Sequence, residues 1–290
     1  MFSGSLVAIV TPFSNGKFDE KAMAELIEFH IKHGTHGIVP CGTTGESATL
    51  TAEEHERVVA VTVEVVNKRI PVIAGTGSNS TEEAIVFTKH AKEVGADGAL
   101  LITPYYNKPT QEGLFRHFEA VAKAVDLPQI LYNIPGRTGV NMSPVTTARL
   151  SQIPSIVGIK EGSGSLQQVS EIIHTSKKEF LILAGDDPLT LPMMALGGKG
   201  VITVTANVTP TDMAGMVSAA LKGDYEQART LHYKLTPLFS ALFLETNPIP
   251  VKAALAMMGK ISEEVRLPLT PLADDYRPKL REVLQQAGIL

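Results

Sequence analysis

The chain has 290 residues, 44% of them hydrophobic and 19% charged, with a formal net charge of −4. That composition belongs to an ordinary globular protein with a sizeable core; the acidic balance and the lack of any basic run argue against a nucleic-acid partner, and no stretch approaches the roughly 20 continuous apolar residues of a membrane span. The single Cys41 excludes an internal disulfide, and the opening MFSGSLVAIVTPF lacks the basic start of a secretion signal, so a cytoplasmic setting is expected.

Short apolar, β-branched runs recur along the chain: LVAIVTP at 6–12, GIVPCG at 37–42, PVIAGTG at 71–77, GALLITP at 98–104, QILYNIP at 129–135, IVGIK at 156–160, FLILAGD at 180–186 and GVITVTAN at 200–207. They are near-continuously apolar, as parallel strands covered on both faces should be. Helical patterns lie between them. Thr51–Glu54, Ser80–Glu83 and Ser165–Gln168 fit the capping box, in which side chains satisfy orphan backbone donors. Ser143-Pro144 and Asp187-Pro188 read as N-caps followed by proline, and Gly34, Gly95 and Gly197 stand where a left-handed C-cap is wanted. Eight βα units spaced about 30 residues apart predict a (β/α)₈ TIM barrel. A doubly wound open sheet is the competing fold, but its Gly-rich dinucleotide turn is missing after the first strand, where the chain reads Thr11-Pro12-Phe13-Ser14. The barrel is expected over residues 1–223. Residues 224–290 carry no strand pattern and read as a C-terminal helical region, with helices at 224–245, 248–259 and 274–288.

In a barrel the active site lies at the C-terminal ends of the strands. Those ends bring together Gly42-Thr43-Thr44-Gly45-Glu46, Tyr105-Tyr106-Asn107, Tyr132 through Arg137, Lys160, Gly185-Asp186-Asp187 and Thr205-Ala206-Asn207. Lys160 is the most telling of these. A lysine closing a buried strand pairs with a neighbour such as Glu161, snorkels its ammonium off the strand end, or loses its charge and offers a nucleophilic amine for a Schiff base. Tyr132 can move the protons a carbinolamine requires, Thr43 can relay them, the Gly42–Gly45 backbone can hold a carboxylate, and Arg137 offers a fork for a second one. His30, His33 and His36 suit a helix C-terminus better than a metal site. Gly75-Thr76-Gly77-Ser78 lacks the Lys-Ser/Thr of a phosphate loop. No cofactor or metal is expected, and the loops after the seventh and eighth strands, not Gly-rich, point to a non-phosphorylated substrate.

The runs GIVPCGTTGE at 37–46, TPYYNKPTQEG at 103–113, YNIPGRT at 132–138, GIKE at 158–161 and NPIPVK at 247–252 resemble the dihydrodipicolinate synthase/N-acetylneuraminate lyase family of class I aldolases, nearly end to end. Tyr-Tyr-Asn with Pro-Gly-Arg-Thr resembles its synthase branch. The resemblance implies that Lys160 condenses with pyruvate and that the enamine attacks L-aspartate 4-semialdehyde. Tyr132 would be the proton donor and acceptor, with Thr43 and Tyr106 completing the relay and Tyr106 reaching in from a neighbouring subunit of a homotetramer built as a dimer of dimers. It further implies that Thr44, Ile202 and Gly185 bind substrate, that Arg137 takes the semialdehyde carboxylate, and that Ser47, Ala48, His55, Asn79, Glu83 and Tyr105 form a feedback site for L-lysine. Ala52 departs from a histidine found in some lysine-sensitive members, and Gly162 from a more frequent alanine or serine. Two other readings compete: a pyruvate-forming lyase of a sialic or keto-sugar acid, and a non-catalytic barrel that senses a keto acid or amino acid.

Overall fold

A computed structural model describes residues 2–290. In chain order its elements are β1 (Gly4–Ala8), a hairpin of β2 (Phe13–Ser14) and β3 (Lys17–Phe18), α1 (Glu20–Lys32), β4 (Gly37–Val39), α2 (Ala52–Val66), β5 (Ile73–Gly75), α3 (Thr81–Glu93), β6 (Gly98–Ile102) and α4 (Gln111–Ala124). There follow β7 (Gln129–Asn133), α5 (Pro135–Thr138), α6 (Pro144–Leu150), β8 (Ile156–Glu161), α7 (Leu166–Thr175), β9 (Leu181–Ala184), α8 (Thr190–Ala195), β10 (Gly200–Thr203) and α9 (Pro210–Leu221). Three helices close the chain: α10 (Tyr225–Ala241), α11 (Ile249–Met257) and α12 (Arg277–Gln286).

Eight strands pair in the order β4-β1-β10-β9-β8-β7-β6-β5. A parallel bridge between Ile38 and Val72 joins the two ends, with Ile38 N–H on Pro71 O and Gly75 N–H on Pro40 O, each at 2.9 Å. The sheet is thus a closed barrel. Closure is tight at Gly75, where a Cβ would run into the Cys41 carbonyl. Alternation sends Leu6, Val39, Leu100, Ile130, Leu183 and Ile202 into the barrel interior. Their neighbours Val7, Ile38, Leu101, Leu131, Ile182 and Val201 pack under the helices. Burial on both faces is why each run reads as continuously apolar.

The caps show where local signals met competition. Thr51 and Glu54 form the full capping box, side chain to backbone both ways, at 3.2 and 3.1 Å. Ser80 and Ser165 accept only the N3 backbone donors. The return half fails because the Glu83 carboxylate takes the Ser78 hydroxyl and the Gln168 amide donates to Asn141 and Glu161. Asp187 is not an N-cap. It lies in a 3₁₀ turn, and its carboxylate, only 3% exposed, accepts three donors at the end of β10 instead. Ser143 caps α6 as expected, and Gly34, Gly95 and Gly197 take φ of +81°, +89° and +117° just past α1, α3 and α8. The β2–β3 hairpin and the one-turn α5 were not legible, because two or four residues carry no period.

The C-terminal helices are shorter than their patterns, with 274–276 forming a 3₁₀ turn. α10 packs along α9, and Leu235, Leu238 and Leu280 bury in the same apolar cluster as the barrel's outer layer. Between α11 and α12, Arg266 reaches across to the loop after β4.

Candidate active site

Tyr132 and Lys160 are register partners on adjacent strands β7 and β8, so both point into the barrel at its C-terminal end. Glu161 points the other way, as successive residues of a strand must. The alternative pairing of Lys160 with Glu161 is therefore not formed: the Glu161 carboxylate accepts from Asn133 Nδ2 at 3.1 and 3.3 Å, Ser163 N at 2.6 Å and Gln168 Nε2 at 3.3 Å. Lys160 is 6% exposed and its Nζ stands 4.2 Å from the Tyr132 ring centroid. Burial drives its pKa from the ordinary 10.5 down to about 8; the Asp187 carboxylate opposes this and the Arg137 guanidinium adds to it. Burial pushes Tyr132 the other way, up to about 12, against the pull of Arg137 and of a hydrogen bond with Thr43. Near neutral pH the pair offers an amine that is partly free and a phenol that keeps its proton. Those are the nucleophile and the proton donor of imine chemistry.

Asp187 anchors this end of the barrel. Its Oδ2 accepts from Val204 N at 3.2 Å, Thr205 N at 2.8 Å and Thr205 Oγ1 at 2.6 Å, tying the end of β9 to that of β10. Gly185 follows β9 and donates to Glu161 O at 2.8 Å. A Cβ there would sit 3.0 Å from that oxygen and 3.1 Å from Gly162 Cα, so the close approach favours glycine. Ile202 lies in β10, 1% exposed and opposite Leu6. Thr205, Ala206 and Asn207 do not join the site: Asn207 donates to Ala8 O and Val204 O and accepts from Val10 N, which fastens β10 to β1.

A cavity of about 680 Å³ opens at the C-terminal ends of the strands. Thr43, Tyr132, Arg137 and Asn247 line it, and so do Ser47, Ala48, His55, Asn79, Glu83 and Tyr105. Thr43 and Thr44 sit in a tight turn closed by Gly45 N–H on Gly42 O and Glu46 N–H on Thr43 O, each at 3.1 Å. Thr44 is buried and its Oγ1 accepts from Asn247 Nδ2 at 3.0 Å. Arg137, exposed on α5, donates to Asn247 O at 3.3 Å. Asn247 is the residue the sequence reading passed over. Its Oδ1 is buried without a partner, an acceptor left for a ligand donor. The run NPIPVK carried the only signal.

The structure leaves Tyr106 apart. It is 88% exposed, holds a left-handed φ of +71° and does not line the cavity, whereas its neighbour Tyr105 does. His55 is 4% exposed, stacked on Phe87 at 4.1 Å, with Nε2 2.8 Å from Gly75 O and Nδ1 unpartnered; burial holds its pKa below the ordinary value. Ala52 lines the same part of the cavity. Cys41 is buried, which pushes its thiol pKa up and leaves it unreactive. His30 is fully buried against Thr35, its pKa lowered to about 3 by burial first and by Lys260 and His33 after it. Among the described residues no three His, Cys, Asp or Glu side chains gather as a metal-binding group, and no helix is long and apolar enough to cross a membrane.

The profile of the dihydrodipicolinate synthetase family matches residues 1–287. The 4-hydroxy-tetrahydrodipicolinate synthase of Thermodesulfovibrio yellowstonii is 63% identical over 290 residues, all of both chains. A solved dihydrodipicolinate synthase of Acinetobacter baumannii, complexed with pyruvate, is 52% identical over all of both chains with a TM-score of 0.98. That of Cyanidioschyzon merolae, with lysine bound, is 42% identical with a TM-score of 0.97, covering 100% of this chain and 99% of its own.

Proposed function

This chain belongs to the dihydrodipicolinate synthetase family, and from that premise we propose how its residues divide the reaction. The activity is the lyase-class condensation of pyruvate with L-aspartate 4-semialdehyde to 4-hydroxy-tetrahydrodipicolinate, a step of lysine and diaminopimelate biosynthesis. The observation that carries the residue assignment is the buried Lys160 amine 4.2 Å from the Tyr132 ring.

The free Lys160 amine attacks the pyruvate carbonyl carbon, and the carbinolamine loses water to give an imine. Loss of a methyl proton yields the enamine. Its terminal carbon forms the new bond to the semialdehyde carbon, and the aldehyde oxygen takes a proton. The substrate's amino group then adds to the imine carbon and displaces the lysine amine, which closes the ring and frees the enzyme. One water leaves overall. Tyr132, kept protonated by burial, donates and recovers the proton at oxygen, with Thr43 passing it onward. The Thr43–Thr44 turn holds the pyruvate carboxylate together with the Ile202 backbone. Arg137 receives the semialdehyde carboxylate. The unpartnered Asn247 Oδ1 and the backbone at Gly185 suit the substrate's amino group.

Tyr106 completes the relay from a neighbouring copy in a homotetramer. Its 88% exposure, clear of the cavity that the half-buried Tyr105 lines, supports this, because a phenol left in solvent is free to meet a neighbouring copy. L-Lysine binds as feedback inhibitor among Ser47, Ala48, His55, Asn79, Glu83 and Tyr105, where Glu83 and the free Nδ1 of His55 face charged and polar groups of an amino acid. A cytoplasmic setting fits the lone, buried thiol of Cys41.

The test is reductive trapping. Borohydride with pyruvate should leave one adduct, on Lys160 by peptide mass; an adduct elsewhere overturns the assignment. Turnover should follow with aspartate semialdehyde and not with a sialic acid. Sedimentation velocity should show a tetramer, and a monomer with full activity would remove Tyr106 from the site.

A further inference from the structure

Glu46 and Lys252 meet at 2.5 Å with both side chains out of solvent, 1% and 0% exposed. Two buried charges add little stability once their lost hydration is counted, so the placement of the pair matters more than its energy. Glu46 closes the turn that carries Thr43 and Thr44. Its backbone is left-handed, φ +55°, as is that of Cys41 at the other end, φ +54°. A residue with a Cβ holds that conformation only where its surroundings over-determine it.

The surroundings here come from the two ends of the chain. Glu46 Oε1 accepts from Lys252 Nζ, and Oε2 from Arg266 N at 3.1 Å. Lys252 Nζ also donates to Thr11 O at 2.9 Å, while the Thr11 hydroxyl donates to Gly45 O at 2.6 Å. Lys252 Nζ and the Arg266 guanidinium each lie 4.3 Å from the Phe13 ring centroid. Arg266 continues to Thr49 O and to the Glu54 carboxylate at the start of α2. At the entry to α11, Asn247 holds Thr44. The Gly45–Glu46 end of the turn is thus tied to Thr11 and to the C-terminal region, and Thr44 to Asn247, while Tyr132 meets Thr43 and Cys41 Sγ donates to His55 O at 3.7 Å.

We propose that Glu46 and Lys252 are positioning residues: the buried pair keeps the Thr43–Thr44 turn in its reactive geometry, and through it the C-terminal helices act on a reaction whose nucleophile sits in the barrel. This rests on the assignment of Thr43 and Thr44 to the pyruvate half-reaction. A displacement of about 1 Å in such a group is enough for a loss of about 100-fold.

The test uses the full-length protein in two variants. Glu46→Gln retains shape but offers one acceptor where two donors wait. Glu46→Gln with Lys252→Met removes both charges and retains volume. Both should fold, by circular dichroism and a cooperative melt, and both should lose about 10- to 100-fold in kcat/KM for pyruvate. Ile172→Ala, a cavity under α7, which packs on α6 and α8, should lower the melting temperature and leave that ratio unchanged. A folded variant of the pair with the parent kcat/KM overturns the proposal. So does an equal loss in Ile172→Ala, which would make the effect one of stability, and so does failure of both pair variants to fold, which would make the pair a folding element only. Thr44→Val serves as the separate check: if it retains full kcat/KM for pyruvate, the reading of the turn itself has failed.

Discussion

Replacing Tyr132 by phenylalanine removes one hydroxyl and leaves in place the ring that stands 4.2 Å from Lys160 Nζ. Proton transfer, which needs the hydroxyl, should therefore separate from the burial of Lys160, to which the ring contributes. The pKa of Lys160 falls from 10.5 to about 8 chiefly through burial, and the ring that contributes to that burial stays. At about 1.4 kcal/mol per pKa unit this is roughly 3 kcal/mol in favour of the free amine. At pH 7 about one amine in ten is then free, against about three in ten thousand for an ordinary lysine. Trapping of pyruvate by cyanoborohydride should rise with pH through about 8 in both parent and variant, since the protonated amine cannot attack. Turnover with both substrates should fall by about 100- to 10,000-fold in the variant, the usual worth of a positioned proton donor. The assay is the trapping rate followed by intact mass between pH 6 and 9.5, beside steady-state turnover of the same preparations. Parent-like turnover in Tyr132→Phe would refute the proton-transfer role. A trapping midpoint near 10 in the parent would refute the argument from burial.

Arg137→Met and Asp187→Asn should move that trapping profile in opposite directions. The guanidinium disfavours the Lys160 ammonium, so its removal raises the midpoint; the Asp187 carboxylate favours the ammonium, so its removal lowers it while the asparagine oxygen can still accept from Val204 and Thr205. Shifts in the same direction would show that structure, not charge, had changed. Arg137→Met should also raise KM for the semialdehyde about 10- to 100-fold, the range of a charge-assisted hydrogen bond. Tyr106→Phe should lower turnover and leave pyruvate trapping on Lys160 intact; full turnover would exclude Tyr106 from the relay. Glu83→Gln should raise the L-lysine concentration for half-inhibition about tenfold, and an unchanged value would place lysine elsewhere.

What the chain determined on its own was whatever rests on local rules. The apolar runs marked the strands because burial on both faces leaves no room for polar alternation, and their count and spacing implied the barrel. The barrel in turn put Lys160, Tyr132, Thr43 and Arg137 at one end, since strand ends are positions along the sequence. Register was beyond that reading. Only the pairing of β7 with β8 sets Tyr132 beside Lys160 and turns Glu161 away from it. The same holds for contacts between distant segments. Asn247 meets Thr44 and Lys252 meets Glu46 because α11 returns to the top of the barrel, more than 200 residues later in the chain. No local period records such a meeting. Asp187 shows the limit most plainly: next to a proline it has the sequence of a helix cap, and the tertiary structure offered its carboxylate three better donors.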